Sequence, residues 1–182
     1  IANKIYVVDP DEETLKWCQK NIETQLSYFS NINDVFFKNS DEAKSCVGVI
    51  SNWGTDHYDT FLKLTERNIK KIYMEKPFAN SLKKIDQISK FVSENQIDIV
   101  SGFQLRHSKL NDKLKKISDN YLGGDPSLIT VDGGANCIVT NGIHFVDLAW
   151  WIMGKPKPIS ASVYTSNKLA KYLEKNEKVF WK

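Results

Sequence analysis

The chain has 182 residues, 41% of them hydrophobic and 26% charged, a composition that excludes the disordered, collagen-like and membrane-spanning classes. Its length suits one medium domain, or one small domain and part of a second, with a real buried core. Lys and Arg outnumber Asp and Glu by 25 to 22, and so small a surplus, spread along the chain, argues against a nucleic-acid platform with its concentrated basic face.

The first apolar run, Lys4 to Val8, reads as a β-strand. Asp9, Pro10 and Glu12 then form a good helix start, with Asp9 as N-cap, Pro10 at the first helical position and Glu12 as capping-box partner. Leu15, Cys18, Ile22, Leu26 and Phe29 fall at helical spacing and mark one face. Further β-rich runs are Cys46 to Ser51, Lys71 to Met74 and Ile97 to Phe103, and the last two flank a helix whose face carries Leu82, Ile85, Ile88 and Val92. Short apolar strands alternating with amphipathic helices predict βαβ units and a parallel sheet covered on both faces.

After Gly102 the pattern changes. Ser108 to Tyr121 reads as an exposed helix, Gly123 to Pro126 as a turn, and Ser127 to Val131 as a strand. A connection containing Gly133, Gly134 and Gly142 leads to an apolar helix from about His144 to Met153, ended by Gly154 and Pro156. Phe145, Leu148, Ala149 and Ile152 mark its expected core-facing side. Ile159 to Thr165 is a last β-like run before a lysine-rich tail. The expected division is a nucleotide-binding domain over 1–103 and the start of an α+β domain over 104–182.

Several residues have the chemistry of a site. Asp9 closes the first strand, where a carboxylate in a dinucleotide-binding fold accepts hydrogen bonds from ribose hydroxyls and disfavours a 2′-phosphate; capping alone also accounts for it. Asn52, Gly54 and His57 lie in the loop after the Cys46 to Ser51 strand, at the strand end where open α/β sheets form their ligand crevice, although Asn-Trp-Gly is also a plain turn. Glu75, Lys76 and Pro77 end the next strand. Pro77 holds Lys76 extended, and an ammonium there can orient and polarise a hydroxyl or carbonyl; most Glu-Lys pairs are simply solvated. His144 and Asp147 share a helix face, suited to proton transfer near neutral pH or to satisfying each other. Arg106 and His107 follow the strand ending at Gly102, and Trp150 and Trp151 read as packing groups. The three cysteines, Cys18, Cys46 and Cys137, form no CxxC pair and have no His at ligand spacing. They suggest a reduced, cytoplasmic interior without a disulfide framework or metal site.

In order and spacing, NWG-x-x-H, MEKPFA, GFQLR and NGIHFVDLAWWIMG resemble the glucose-fructose oxidoreductase / inositol dehydrogenase / MocA family over roughly residues 5 to 165. The resemblance implies a Rossmann domain joined to a C-terminal α/β domain, NAD or NADP as cofactor, a sugar, polyol or nucleotide sugar as small-molecule substrate, and homo-oligomers through the second domain's sheet. It implies no nucleic-acid or membrane partner. Carried over by position, Lys76 is the substrate-orienting lysine, Pro77 can follow a cis bond, and His144 exchanges the substrate proton. Asp9 is the ribose-binding acid and favours NAD. Asn52, Trp53 and His57 belong to the nucleotide loop, with Glu75, Lys76 and Pro77 bordering the cofactor. Arg106, Asn141, His144 and Asp147 face the substrate together with Lys76. Two departures stand out. The family opens on a strand and a G-x-G-x-x-G turn that holds pyrophosphate, whereas the first glycine here is Gly48. The expected sheet is therefore incomplete, as in a fragment of a longer protein that is inactive alone. Thr140 stands where many members carry Asp, which makes a non-catalytic dinucleotide- or sugar-binding module the alternative to an oxidoreductase.

Overall fold

The computed structural model describes residues 4–22, 26–132 and 141–162. The chain folds as an α/β protein with parallel sheets, as the alternating pattern predicts. Strand β1 (Tyr6–Val8) is followed by α1 (Glu12–Asn21), β2 (Ser27–Phe29), a short 3-10 turn over Ile32–Asp34 and α2 (Ser40–Ser45). Then come β3 (Val47–Ile50), α3 (His57–Glu66), β4 (Lys71–Met74), α4 (Leu82–Asn95) and β5 (Asp98–Ser101). A second 3-10 turn, Leu105–His107, leads into α5 (Lys109–Tyr121), and α6 spans Ile143–Ile152.

Helix α1 starts two residues later than the sequence suggests. Its N-cap is Asp11, whose side chain accepts from the Glu13 N–H, and Glu12 and Glu13 place negative charge at the positive end of the helix dipole. Asp9 instead accepts the Asp11 N–H at 2.9 Å, an Asx turn leading into the helix. At its other end the helix stops at Ile22, which is extended (φ −108°, ψ 113°). Phe29 therefore does not continue the helix face. It lies in β2, which pairs in parallel with β1 in the register Tyr6–Ser27, Val7–Tyr28 and Val8–Phe29. The helical spacing from Leu15 to Phe29 runs by coincidence across a break, and a three-residue strand is too short for its own period to compete.

Strands β3, β4 and β5 form a separate parallel sheet in that order, with Val47 opposite Lys71 and Lys71 opposite Asp98. Its core is Ile50, Phe61, Leu64, Ile69, Ile72, Met74, Ala79, Ile88 and Ile97. Helices α3 and α4 supply these contacts on one face, where Phe61 and Phe91 meet edge to face at 5.8 Å. Gly48 lets α3 sit close, since a Cβ there would come within 2.8 Å of Leu64 Cδ1. The other face is open among the described residues: Val47, Val49 and Val100 are 62%, 63% and 57% exposed. The expected cover on both faces is thus present on one.

Helix α5 matches its expected span and is capped by Ser108, which accepts from Asn111 N. The turn after it brings the Asp125 carboxylate against Gly154, and Lys115 pairs with Asp119 and Asp125 at 2.7 Å each. Residues 127–131, expected as a strand, carry no regular structure, nor do the described residues of the 159–165 run; neither finds a partner strand among the described residues, and a lone strand buries too little to persist. Helix α6 forms where expected, but Phe145 is exposed and no residue of the helix is fully buried. Gly133, Gly134, Cys137 and Thr140 lie outside the described residues. Cys18 and Cys46 are free thiols. Among the described residues no helix is long and apolar enough to cross a membrane.

Candidate functional site

The carboxyl ends of β3, β4 and β5 lie side by side, because Glu75 N donates to Ile50 O and Gly102 N donates to Met74 O, at 2.9 and 2.8 Å. This parallel register aligns three loops: Ser51 to Asp56 after β3, Glu75 to Ala79 after β4, and Gly102 to Gln104 after β5. They carry most of the candidate residues.

His57, the first residue of α3, is 1% exposed. Its Nδ1 lies 2.7 Å from Pro77 O and its Nε2 2.9 Å from Asn52 O, so the ring is enclosed by backbone carbonyls and fastens the first loop to the second. A neutral imidazole has one N–H to donate, and the two carbonyls compete for it. His57 therefore holds the loops that border the crevice and does not itself line it. Asn52 Nδ2 donates to Thr60 Oγ1 at 2.9 Å, tying the same loop to α3. Trp53 is 76% exposed. Gly54 packs against the Pro77 ring, where a Cβ would meet Cδ at 3.2 Å. The Lys76–Pro77 bond is cis, as the resemblance implies.

Glu75 has a role that the sequence does not reveal. Its Oε1 accepts from Tyr73 OH at 2.9 Å and from Gln104 Nε2 at 3.4 Å. The carboxylate lies so close over Gly102 that a Cβ there would stand 2.7 Å from it. Glu75 thus braces the end of β4 against the end of β5. The signal was present in the GFQ run after β5, a glycine followed two residues later by an amide side chain, but a single sequence does not show which carboxylate those residues meet. Lys76 is half-buried on this brace.

Beyond Gly102 a second group converges. Phe103 meets the His144 ring edge to face at 6.1 Å, and the Arg106 guanidinium lies 5.6 Å over Phe103. Arg106 Nη2 pairs with Asp147 Oδ1 at 3.1 Å and reaches Ser101 Oγ at 3.4 Å. The expected shared face of His144 and Asp147 is therefore turned toward the residues after β5. Burial raises the Asp147 carboxyl above the usual carboxylate range, against the opposing pull of Arg106, His144 and His107. Among the described residues, Arg106 Nε, His144 Nδ1 and Asp147 Oδ2 are buried without a hydrogen-bond partner. Buried polar atoms are nearly always satisfied, so three such atoms in one cluster set this group apart from the rest of the described chain. Asn141 is exposed at the entry to α6.

Asp9 stands apart from these groups. It lines a cleft of about 1450 Å³ between β1 and β3, together with Asn52, and none of Lys76, Arg106, His144 or Asp147 lines that cleft. No three His, Cys, Asp or Glu side chains converge as a metal site among the described residues.

Solved structures share this fold, several dehydrogenases among them. The scyllo-inositol dehydrogenase of Lactobacillus casei superposes with a TM-score of 0.65 at 16% identity, over 82% of this chain and 47% of its own. The myo-inositol 2-dehydrogenase of Lactobacillus plantarum gives 0.61 at 19%, over 82% and 48%, and a probable dehydrogenase of Thermotoga maritima 0.63 at 19%, over 94% and 55%. The chain spans about half the length of these proteins. No protein-family model and no curated protein sequence matches it.

Proposed function

We propose that the chain belongs to an NAD(P)-dependent oxidoreductase that acts on a hydroxyl or carbonyl group of a sugar or polyol, with NAD the first choice of cofactor. The observation that carries this reading is the Arg106–His144–Asp147 cluster, with three buried polar atoms that have no partner among the described residues, beside the strand end that presents Lys76. Hydrogen-bonding donors and acceptors buried together suit a neutral polyhydroxy substrate, whose hydroxyls both donate and accept. The likeness to solved dehydrogenases supports it: the Lactobacillus casei enzyme has been solved with bound NAD(H) and scyllo-inositol, and an Agrobacterium radiobacter oxidoreductase with NAD+ and L-tartaric acid.

A bound nicotinamide supplies the two-electron acceptor or donor. The residues of this chain fit the ribose end of such a group. Asp9 Oδ1 is engaged by the Asp11 N–H, and the carboxylate keeps acceptor capacity for ribose hydroxyls at the end of β1. Lys76 then orients the substrate oxygen and stabilises negative charge developing on it. His144, held against Phe103, takes the hydroxyl proton in oxidation and returns it in reduction. Residues 1–103 would provide the nucleotide side and 104–182 the substrate side, within a homo-oligomer of the full protein.

In the full-length protein, Lys76→Ala should lower NADH formation across a sugar and polyol panel by at least about a hundredfold, with dinucleotide affinity retained. Unchanged turnover would overturn the assignment. Dinucleotide binding with no turnover of any substrate by the unmodified protein would select the non-catalytic module instead.

A further inference from the structure

Of all the asparagines in the sequence, Asn141 alone is followed by glycine. An asparagine side chain lies within reach of the next backbone nitrogen, and closure of a succinimide ring between them is hindered mainly by the following side chain. Glycine has no Cβ to obstruct it. A fold usually prevents closure by engaging the asparagine side chain in hydrogen bonds. Asn39 shows this protection: it precedes Ser40, and its Oδ1 accepts from Asp41 N and Glu42 N at 3.1 and 2.9 Å as the N-cap of α2. Asn80 precedes Ser81, which keeps its Cβ and caps α4 by accepting from Lys84 N at 3.3 Å.

Among the described residues nothing engages Asn141 in this way. It is exposed, and Gly142 stands at the N-cap of α6, where no side chain caps the helix. The Gly142 N–H precedes the first donor of the α6 ladder, so the helix makes no use of it. Exposed helix ends also open at little cost, which gives the Asn141 side chain the freedom to turn onto the next peptide.

We propose that Asn141–Gly142 is a self-modification site, where Asn141 loses ammonia and becomes a mixture of aspartate and isoaspartate. The Gly142 nitrogen attacks Asn141 Cγ and forms the C–N bond of a succinimide. The bond from Cγ to Nδ2 breaks, and the Gly142 amide proton leaves with Nδ2 as ammonia. Water then adds to one of the two ring carbonyls. Opening at Cγ gives aspartate on an ordinary backbone; opening at the backbone carbonyl routes the main chain through the side chain as isoaspartate. In both products a carboxylate replaces a neutral amide, and the formal net charge of the chain falls from +3 to +2. The charge enters three residues before His144, on the turn into the helix that carries both His144 and Asp147. Time alone thus turns a neutral entrance to this cluster into an acidic one.

The test is a peptide map by mass spectrometry of the folded 182-residue chain, followed through incubation in warm neutral buffer. Asn141 should convert at least about tenfold faster than Asn39 or Asn80, with isoaspartate and aspartate both formed. Unfolding the chain in urea should raise the Asn141 rate by less than about tenfold, since the fold leaves this site open. Gly142→Ala should slow conversion by at least about tenfold; the glycine has φ −60° and ψ −33°, a conformation that alanine also adopts. Asn141→Gln, which would have to close a larger ring, should stay unconverted with Gly142 left in place. Four results would overturn the proposal: conversion no faster than at Asn39 and Asn80, an undiminished rate in Gly142→Ala, acceleration by urea of about tenfold or more, or aspartate as the sole product, which marks direct hydrolysis. None of these readouts uses hydride transfer or a cofactor, so this proposal and the oxidoreductase reading can fail separately.

Discussion

At the scale of single residues, His57 and Asp147 show two kinds of buried polar group. His57 lies against two backbone carbonyls from two loops and offers them a shared donor. His57→Ala would remove that donor and leave a cavity, a loss of about 2–4 kcal/mol in unfolding free energy. Urea denaturation measures it, and a change below about 0.5 kcal/mol would show that the staple contributes little. Asp147 is the opposite case: one oxygen is paired with Arg106 and the other has no partner among the described residues. Because burial raises its carboxyl, folding favours the protonated form. Its contribution is complete below the ordinary carboxylate value of about 3.9 and declines as pH rises through the raised value. The stability of the parent chain relative to Asp147→Asn should therefore fall as pH rises above about 4. Stability curves for the two proteins at several pH values would show it, and a difference independent of pH would refute it.

At the scale of elements, what the sequence revealed depended on length and partnership. The long amphipathic helices α4 and α5 and the buried strands β3 and β4 carry strong periods and appear where their patterns put them. Strand β2 and helix α2 are each too short to show a period of their own in the sequence. Asp9-Pro10 and Asp11-Glu12 offer the same capping chemistry two residues apart; the pairing of β1 with β2 extends through Asp9 N to Phe29 O at 3.1 Å, which leaves Asp11 to begin the helix. Asp11→Ala should cost about 1 kcal/mol, and Asp9→Ala less; the opposite order in thermal or denaturant melts would restore the cap to Asp9. The site was legible as residue types at strand ends. Its internal wiring was not, since Glu75 meeting Gln104 and Gly102, or Arg106 meeting Asp147, joins residues whose proximity only the fold creates.

At the scale of the whole molecule, apolar surface remains to be covered. Beyond the open sheet face, Leu110, Leu114, Ile117 and Tyr121 form an exposed stripe along α5. The two sheets also differ in support. The β3–β5 sheet owns the described core, whereas β1 and β2 connect to the rest through peripheral contacts such as Lys4 with Glu42, Arg67 with Val35 O and Arg67 over Phe37. Local stability follows such differences, so amides of β4 should exchange more slowly than those of β1 by about tenfold or more in the chain alone. Equal rates would mean that the molecule opens as one cooperative unit.

The imidazole at the start of α3 has one more effect. Because a single rigid ring touches the main chain after both β3 and β4, neither segment can shift without dragging the other. A ligand that pulled on the Lys76 backbone would be felt at Asn52, on the wall of the neighbouring cleft, through that ring and the Gly54–Pro77 contact beside it.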